Sequence, residues 1–178
     1  MRAAFLDRDG VLNRRPPPHE YVGAVDALDV LPGTAAAVIA LREAGYLPVV
    51  VSNQRGVARG LVTEAVLSEI EEHLAAEGVD VAAYYYCRHD LDAACTCRKP
   101  QPGLLLRAAH ELGLDLSSSV MIGDEESDVE AGRAAGCRTI RIGVPAPETA
   151  ADAVAPNLCA AVALLARQAT ASYPSTNQ

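Results

Sequence analysis

The chain has no tryptophan and a single phenylalanine, so its core must be built from aliphatic side chains. Positive charge is scarce as well: 15 Lys and Arg stand against 23 Asp and Glu, for a net charge of -8. That balance argues against nucleic acid or an anionic membrane as partner, because both require clustered cations. It leaves room for a small anionic substrate, which responds to local charge. No apolar run reaches the length of a membrane span. The opening Met-Arg-Ala-Ala-Phe-Leu-Asp lacks the charged, apolar and cleavage regions of a secretory signal. The expectation is a cytoplasmic protein whose thiols stay reduced. Its five cysteines then point to metal binding or packing before disulfides. No zipper or apolar surface stripe is present, so a monomer is expected.

What the chain does contain is a regular alternation. Apolar runs at residues 3–6, 47–51, 83–87, 120–123 and 139–142 read as strands. They are continuous rather than alternating, as parallel strands covered on both faces are. Helical patterns at 34–44, 63–77, 103–112, 127–135 and 157–168 lie between and after them, several ending at glycine. The expected fold is α/β, a doubly wound parallel sheet without a large cap domain. It spans residues 1–168 as one domain, with 169–178 a flexible polar tail. Residues 14–21, with Pro16, Pro17 and Pro18, form a stiff extended excursion. In such a sheet ligands collect beyond the carboxyl ends of the strands.

The residues at those ends carry the chemistry. The first strand leads into Asp7-Arg8-Asp9-Gly10. Two carboxylates this close repel unless a cation or proton intervenes, and Mg²⁺ prefers such oxygens. With its charge shielded, Asp7 is a candidate nucleophile toward phosphorus and Asp9 a candidate general acid and base. A polar turn is the alternative. The second strand leads into Ser52-Asn53-Gln54-Arg55, where a hydroxyl and an amide can meet phosphoryl oxygens. A turn or helix-capping serine is the alternative there. Lys99 can neutralise phosphoryl charge and Arg98 can grip a substrate hydroxyl or a second phosphate, unless both are surface cations. Asp124 ends the fourth strand, where a further metal-binding carboxylate is needed. Asp128 has three open readings: a ligand through water, an orienter of Lys99, or a charge at a helix N-terminus.

Cys87, His89, Cys95 and Cys97 fall within eleven positions. Three thiolates and an imidazole suit tetrahedral Zn²⁺, and a site filled by four protein ligands is structural. Buried thiols or a redox pair are the alternatives. Cys137 and Cys159 read as buried packing residues. His73 and His110 are assigned no role; His19, in the proline-rich excursion, can reach the site, with an exposed loop histidine the expected alternative.

Taken together, Asp7-Arg8-Asp9-Gly10-Val11-Leu12-Asn13, Ser52-Asn53-Gln54, Lys99-Pro100 and Gly123-Asp124 with Asp128 resemble the haloacid dehalogenase (HAD) superfamily of phosphatases. The Cys-x-His and Cys-x-Cys loop narrows the resemblance to the subgroup holding heptose bisphosphate and histidinol-phosphate phosphatases. It extends over roughly residues 3–145. It implies Asp7 as nucleophile, Asp9 as general acid and base, and Ser52 and Lys99 as phosphoryl stabilisers. It implies Mg²⁺ held by Asp7, the backbone carbonyl of Asp9, and Asp124, with structural Zn²⁺ on Cys87, His89, Cys95 and Cys97. Substrate would meet Asn53, Gln54, Arg55, Arg98 and Tyr21, the last in the excursion at the substrate mouth. The runs from Asn53 to Gly60 and from Arg98 to Gly103 resemble the heptose branch. The five-residue gap between His89 and Cys95 resembles the histidinol-phosphate branch. Glu125 departs from the basic residue the family often has there, and the 14–21 segment looks longer than usual. The implied activity is hydrolysis of a small phosphorylated sugar, most closely heptose bisphosphate. Histidinol phosphate is the alternative substrate, and an inactive zinc-stabilised binding module the non-enzyme alternative.

Overall fold

The computed structural model describes residues 1–144 and 148–171. A six-stranded sheet lies at its centre, with every pairing parallel: β1 (Arg2–Leu6), β2 (Tyr46–Asn53), β3 (Ala83–Cys87), β4 (Val120–Gly123), β5 (Arg138–Ile142) and β6 (Ala153–Ala155). The order across the sheet is β3-β2-β1-β4-β5-β6. Five helices cover it: α1 (Thr34–Glu43), α2 (Glu64–Ala76), α3 (Gly103–Leu112), α4 (Glu126–Ala134) and α5 (Leu158–Ala171). This is the expected doubly wound sheet.

Strand alternation sorts the core onto two faces. Ala4 and Leu6 of β1 point to one face, with Leu41 of α1, Ile70 of α2 and Leu165 of α5. Ala3 and Phe5 point to the other, with Leu105 and Ala108 of α3 and Ala131 of α4. Both faces are thus sealed by aliphatic packing, the reason the strands read as unbroken apolar runs.

The helix signals act as anticipated. The Thr63 hydroxyl oxygen accepts from Val66 N–H at 3.2 Å and starts α2. Gly113 ends α3 in the left-handed region at φ 62°. Three differences stand out. β6 was not anticipated, because three residues carry too little pattern. α5 runs through Ala171, so residues expected in the tail are helical; residues 172–178 lie outside the described part. Cys159 is exposed rather than buried, its thiol donating to the Gly33 carbonyl oxygen at 3.5 Å. Cys137 is buried, as expected.

β1 and β4 are neighbours at the middle of the sheet. The order reverses there: β1 leads on one side to β2 and on the other to β4. Their carboxyl ends open a crevice at this switch point, and Asp7 and Asp124 follow those two strands directly.

Candidate active site

Asp7 extends the β1 ladder by one residue, its N–H donating to the Ile122 carbonyl oxygen at 3.0 Å. That bond sets Asp7 beside the end of β4 and so beside Asp124. Carboxylate oxygens of Asp7, Asp124 and Asp128 all lie within 4.8 Å of one another. Burial, and then the Asp7 charge, push the Asp124 carboxyl up to about 7. Three carboxylates in so small a volume repel unless cations or protons intervene.

Lys99 supplies one. Its ammonium stands 2.9 Å from Asp7 Oδ1 and 2.6 Å from Asp128 Oδ1, and donates to the Val51 carbonyl oxygen at 2.8 Å. Burial would lower its pKa, but the Asp128 and Asp7 carboxylates overcome that and raise it. Arg15 supplies another, from the proline-rich segment. Its guanidinium reaches Asp124 Oδ1 at 2.8 Å and also pairs with Glu125. The oxygens of Asp7, Asp124 and Asp128 still crowd together, and this all-oxygen donor set fits a hard divalent cation such as Mg²⁺.

Asp128 combines two of its three anticipated readings. Oδ1 holds Lys99, while Oδ2 accepts from Glu125 N–H at 3.0 Å, closing a capping box at the start of α4.

Asp9 turns away from the carboxylate cluster. Arg8 donates to it from Nε at 3.2 Å and Nη2 at 3.0 Å, Asn13 Nδ2 at 2.9 Å and Gln54 Nε2 at 3.0 Å. The Asp9 side chain is thus taken up by these donors, and its carbonyl oxygen has no backbone donor among the described residues. Gly10 sits at φ 94°, and a Cβ there would lie 2.0 Å from Asp124 Oδ2. Only glycine permits both that backbone and that approach.

Ser52 is buried near the end of β2 and accepts from Gln54 Nε2 at 3.2 Å. Asn53 does something the sequence did not suggest. Its Nδ2 donates to the Lys99 carbonyl oxygen and its Oδ1 accepts from Lys99 N–H, both at 3.1 Å. Its amide thus holds the Lys99 backbone while Asn53 also lines the cavity at this site, keeping its second N–H and second lone pair. Arg55 pairs with Asp90 at 2.5 Å. These two clasps tie the end of β2 to the cysteine loop.

Asp7, Asp9, Ser52, Asn53, Gln54, Arg55, Arg98, Lys99 and Tyr21 line one cavity of about 430 Å³, together with Arg15, His19 and Glu125. Among the described residues Arg98 Nη1 is buried with no hydrogen-bond partner, and Arg98 lines the cavity, where a guanidinium fits an anion.

The cysteine loop brings its four expected ligands together. Cys87 Sγ lies 3.6 Å from His89 Nδ1 and 3.7 Å from Cys95 Sγ, and His89 Nδ1 lies 3.2 Å from Cys97 Sγ. A tetrahedral ion with bonds of about 2.0–2.3 Å sets its ligands roughly 3.3–3.8 Å apart. The donor set and spacing fit Zn²⁺. Burial, and then contact with Cys87 and Cys95, push the Cys97 thiol up to about 12, a cost that a cation would relieve.

Sequence reasoning missed Arg8, which is fully buried. The signal was available: Arg8 shares the strand parity of Leu6, so alternation turns it inward. Arg15 was missed because its partners lie more than a hundred residues away.

Comparison with known proteins agrees with this geometry. The HAD-hydrolase-like family model matches residues 96–162. A D-glycero-beta-D-manno-heptose-1,7-bisphosphate 7-phosphatase of Photorhabdus laumondii is 41% identical over 157 residues, 80% of this chain and 82% of that protein. The protein of the same name from Escherichia coli K12 is 39% identical over 167 residues, 84% of this chain and 86% of that protein. The crystal structure of D,D-heptose 1,7-bisphosphate phosphatase from B. bronchiseptica, complexed with magnesium and phosphate, superposes with a TM-score of 0.82 at 32% identity. It covers 94% of this chain and 99% of that one. Identity at this level over most of both lengths shows that the chain belongs to the HAD-like phosphatase family that includes the D-glycero-beta-D-manno-heptose-1,7-bisphosphate 7-phosphatases, and is a phosphomonoester hydrolase.

Proposed function

We propose that this phosphatase removes the 7-phosphate of D-glycero-β-D-manno-heptose 1,7-bisphosphate through a phosphorylated Asp7. The observation that carries the chemistry is the approach of Asp7, Asp124 and Asp128 within one small volume around Lys99. The names of the relatives support the substrate.

Asp7, the carbonyl of Asp9, and Asp124 would hold Mg²⁺, which supplies charge neutralisation between carboxylate and phosphoryl oxygens. Lys99 pairs with Asp7 Oδ1 and fixes that oxygen, leaving the other to attack phosphorus. Ser52 donates to a phosphoryl oxygen. Asp9 gives its proton to the departing sugar oxygen, then takes one from the water that attacks the aspartyl phosphate. Attack of water on phosphorus breaks the bond to Asp7 and returns its carboxylate. Arg98, with its unpaired nitrogen, takes the second phosphate of the substrate. Arg55 and Tyr21 line the route by which the sugar enters.

Zn²⁺ on Cys87, His89, Cys95 and Cys97 would stiffen the loop that carries Arg98 and Lys99. Both cations follow Cys97 directly, so the metal fixes the backbone from which they project.

Parallel kcat/KM measurements on heptose bisphosphate and histidinol phosphate test the assignment. A preference for the heptose of at least about tenfold is expected, since only a bisphosphate brings a second phosphate to Arg98. A preference for histidinol phosphate overturns the substrate. No phosphate release from either, or from a broad panel of phosphoesters, overturns the enzyme reading.

A further inference from the structure

Gln54 reads from sequence as a substrate contact, yet its side chain is only 3% exposed and both ends of its amide are occupied. It follows the last residue of β2, where its N–H donates to the Cys87 carbonyl oxygen at 2.8 Å and prolongs the pairing with β3. Its Oε1 accepts from Arg8 Nη2 at 3.2 Å. Its Nε2 donates to Asp9 Oδ2 at 3.0 Å and to Ser52 Oγ at 3.2 Å.

These bonds have only one consistent direction. A guanidinium has donors and no acceptor, so Arg8 must face the oxygen of the Gln54 amide. The nitrogen is thereby forced toward Asp9 and Ser52. Asp9 Oδ2 accepts from that nitrogen, so the two ends of the amide agree. Ser52 Oγ then has a lone pair committed to Gln54. Among the described residues no oxygen accepts from the Ser52 hydroxyl, and Ser52 lines the same cavity as Asp7. A serine pinned in this way has its hydrogen left to give. The order of donation therefore runs from Arg8 through Gln54 to Ser52, and ends at whatever anion occupies the cavity. Because Arg8 is fully buried, its charge polarises the amide without competition from water.

We propose that Gln54 is a positioning residue: it orients the Ser52 hydroxyl as a donor to the phosphoryl group while holding Asp9 in place. The proposal rests on the reading of this cavity as a phosphoryl site. It does not require Gln54 to touch substrate.

The test is a double-mutant cycle in the full-length protein with Mg²⁺, read as calorimetric affinity for inorganic phosphate and as kcat and KM. Gln54→Met keeps the volume and removes the amide. It is expected to weaken phosphate binding about 10-fold, as is Ser52→Ala. The double variant is expected to lose about 10-fold as well, because both changes remove the same hydrogen bond. Losses that multiply to about 100-fold would show Gln54 acting on the anion separately and would overturn the proposal, as would wild-type phosphate affinity in Gln54→Met. Should Gln54→Met fail to fold, Gln54→Glu serves instead. It still accepts from Arg8, but draws the Ser52 hydrogen to itself. Its phosphate affinity should fall and adding Ser52→Ala should cost nothing more; a further loss on adding Ser52→Ala overturns the proposal. A Ser52→Ala protein that binds phosphate as tightly as its parent would remove the phosphoryl reading itself, and the proposal with it. A normal Ser52→Ala loss that multiplies with that of Gln54 removes only the proposal.

Discussion

Lys99 and Asp7 stand 2.9 Å apart, with the lysine side chain almost completely buried. The ammonium pairs with the Asp7 and Asp128 carboxylates and donates to the Val51 carbonyl oxygen. Lys99 is thus as much a part of the fold as of the site. Lys99→Met should leave the buried Asp128 without its counter-charge. Unfolding in urea, in metal-free buffer, should show a loss of about 3–5 kcal/mol. A loss under about 1 kcal/mol would mean that water or another cation replaces the ammonium.

Asp7→Asn keeps shape and a hydrogen-bonding oxygen but has no carboxylate to attack phosphorus. Phosphate release should drop by roughly 10⁴-fold or more, with the circular dichroism spectrum unchanged. Turnover within tenfold of the parent would remove Asp7 as the nucleophile.

Gly10→Ala should uncouple metal binding from the fold. The new Cβ would sit 2.0 Å from Asp124 Oδ2, so the Asp124 side chain must move. The Mg²⁺ concentration giving half-maximal rate should rise about 10- to 100-fold. An unchanged Mg²⁺ requirement would show that the Asp124 carboxylate is not a ligand.

Metal analysis should find about one Zn per chain, and Cys95→Ala should abolish it while lowering the melting temperature. A zinc-free parent protein of undiminished stability would contradict the structural role.

Alkaline pH offers a test remote from the metals. Burial, and then the charge of Asp115, push the Cys137 thiol up to about 12. An unfolded thiol ionises near 9. Below pH 9 both states keep the proton, so stability is at its full value. Between about pH 9 and 12 the unfolded chain gives up its proton while the folded chain keeps it, so stability falls as pH rises. Cys137→Ala should flatten part of that fall, seen as a smaller shift in urea midpoint between pH 8 and 10.5. An identical shift in both proteins would place the loss elsewhere.

Much of this was legible in the sequence, for identifiable reasons. Continuous apolar strands and glycine-ended helices gave the sheet, because both depend on local pattern. Asp7, Ser52, Lys99 and Asp124 could be singled out because each lies at or just past the end of a strand or of the cysteine run. The clustering of Cys87, His89, Cys95 and Cys97 was legible in their spacing alone. What was not legible was direction. Nothing in the string says that Asn53 turns to the Lys99 backbone, or that Asp9 faces Arg8 rather than the carboxylate cluster. Those choices are made by partners distant in sequence. Arg15 likewise meets Asp124 only after folding, and Cys159 lies on the outer side of α5, a matter of helix phase that an alanine-rich segment barely encodes.

Three consecutive residues, Cys97, Arg98 and Lys99, face a thiolate cluster, a cavity and the Asp7 carboxylate in turn. A peptide used this way behaves as a ruler with marks at every residue. Inserting even one amino acid between Cys97 and Lys99 would advance one mark past its target while the others held. The stretch between His89 and Cys95 carries no such graduation: Leu91 to Ala94 are exposed, and lengthening there would be accommodated as a larger bow. Descendants of this chain should therefore vary freely in length on one side of the cysteine pair and not at all on the other.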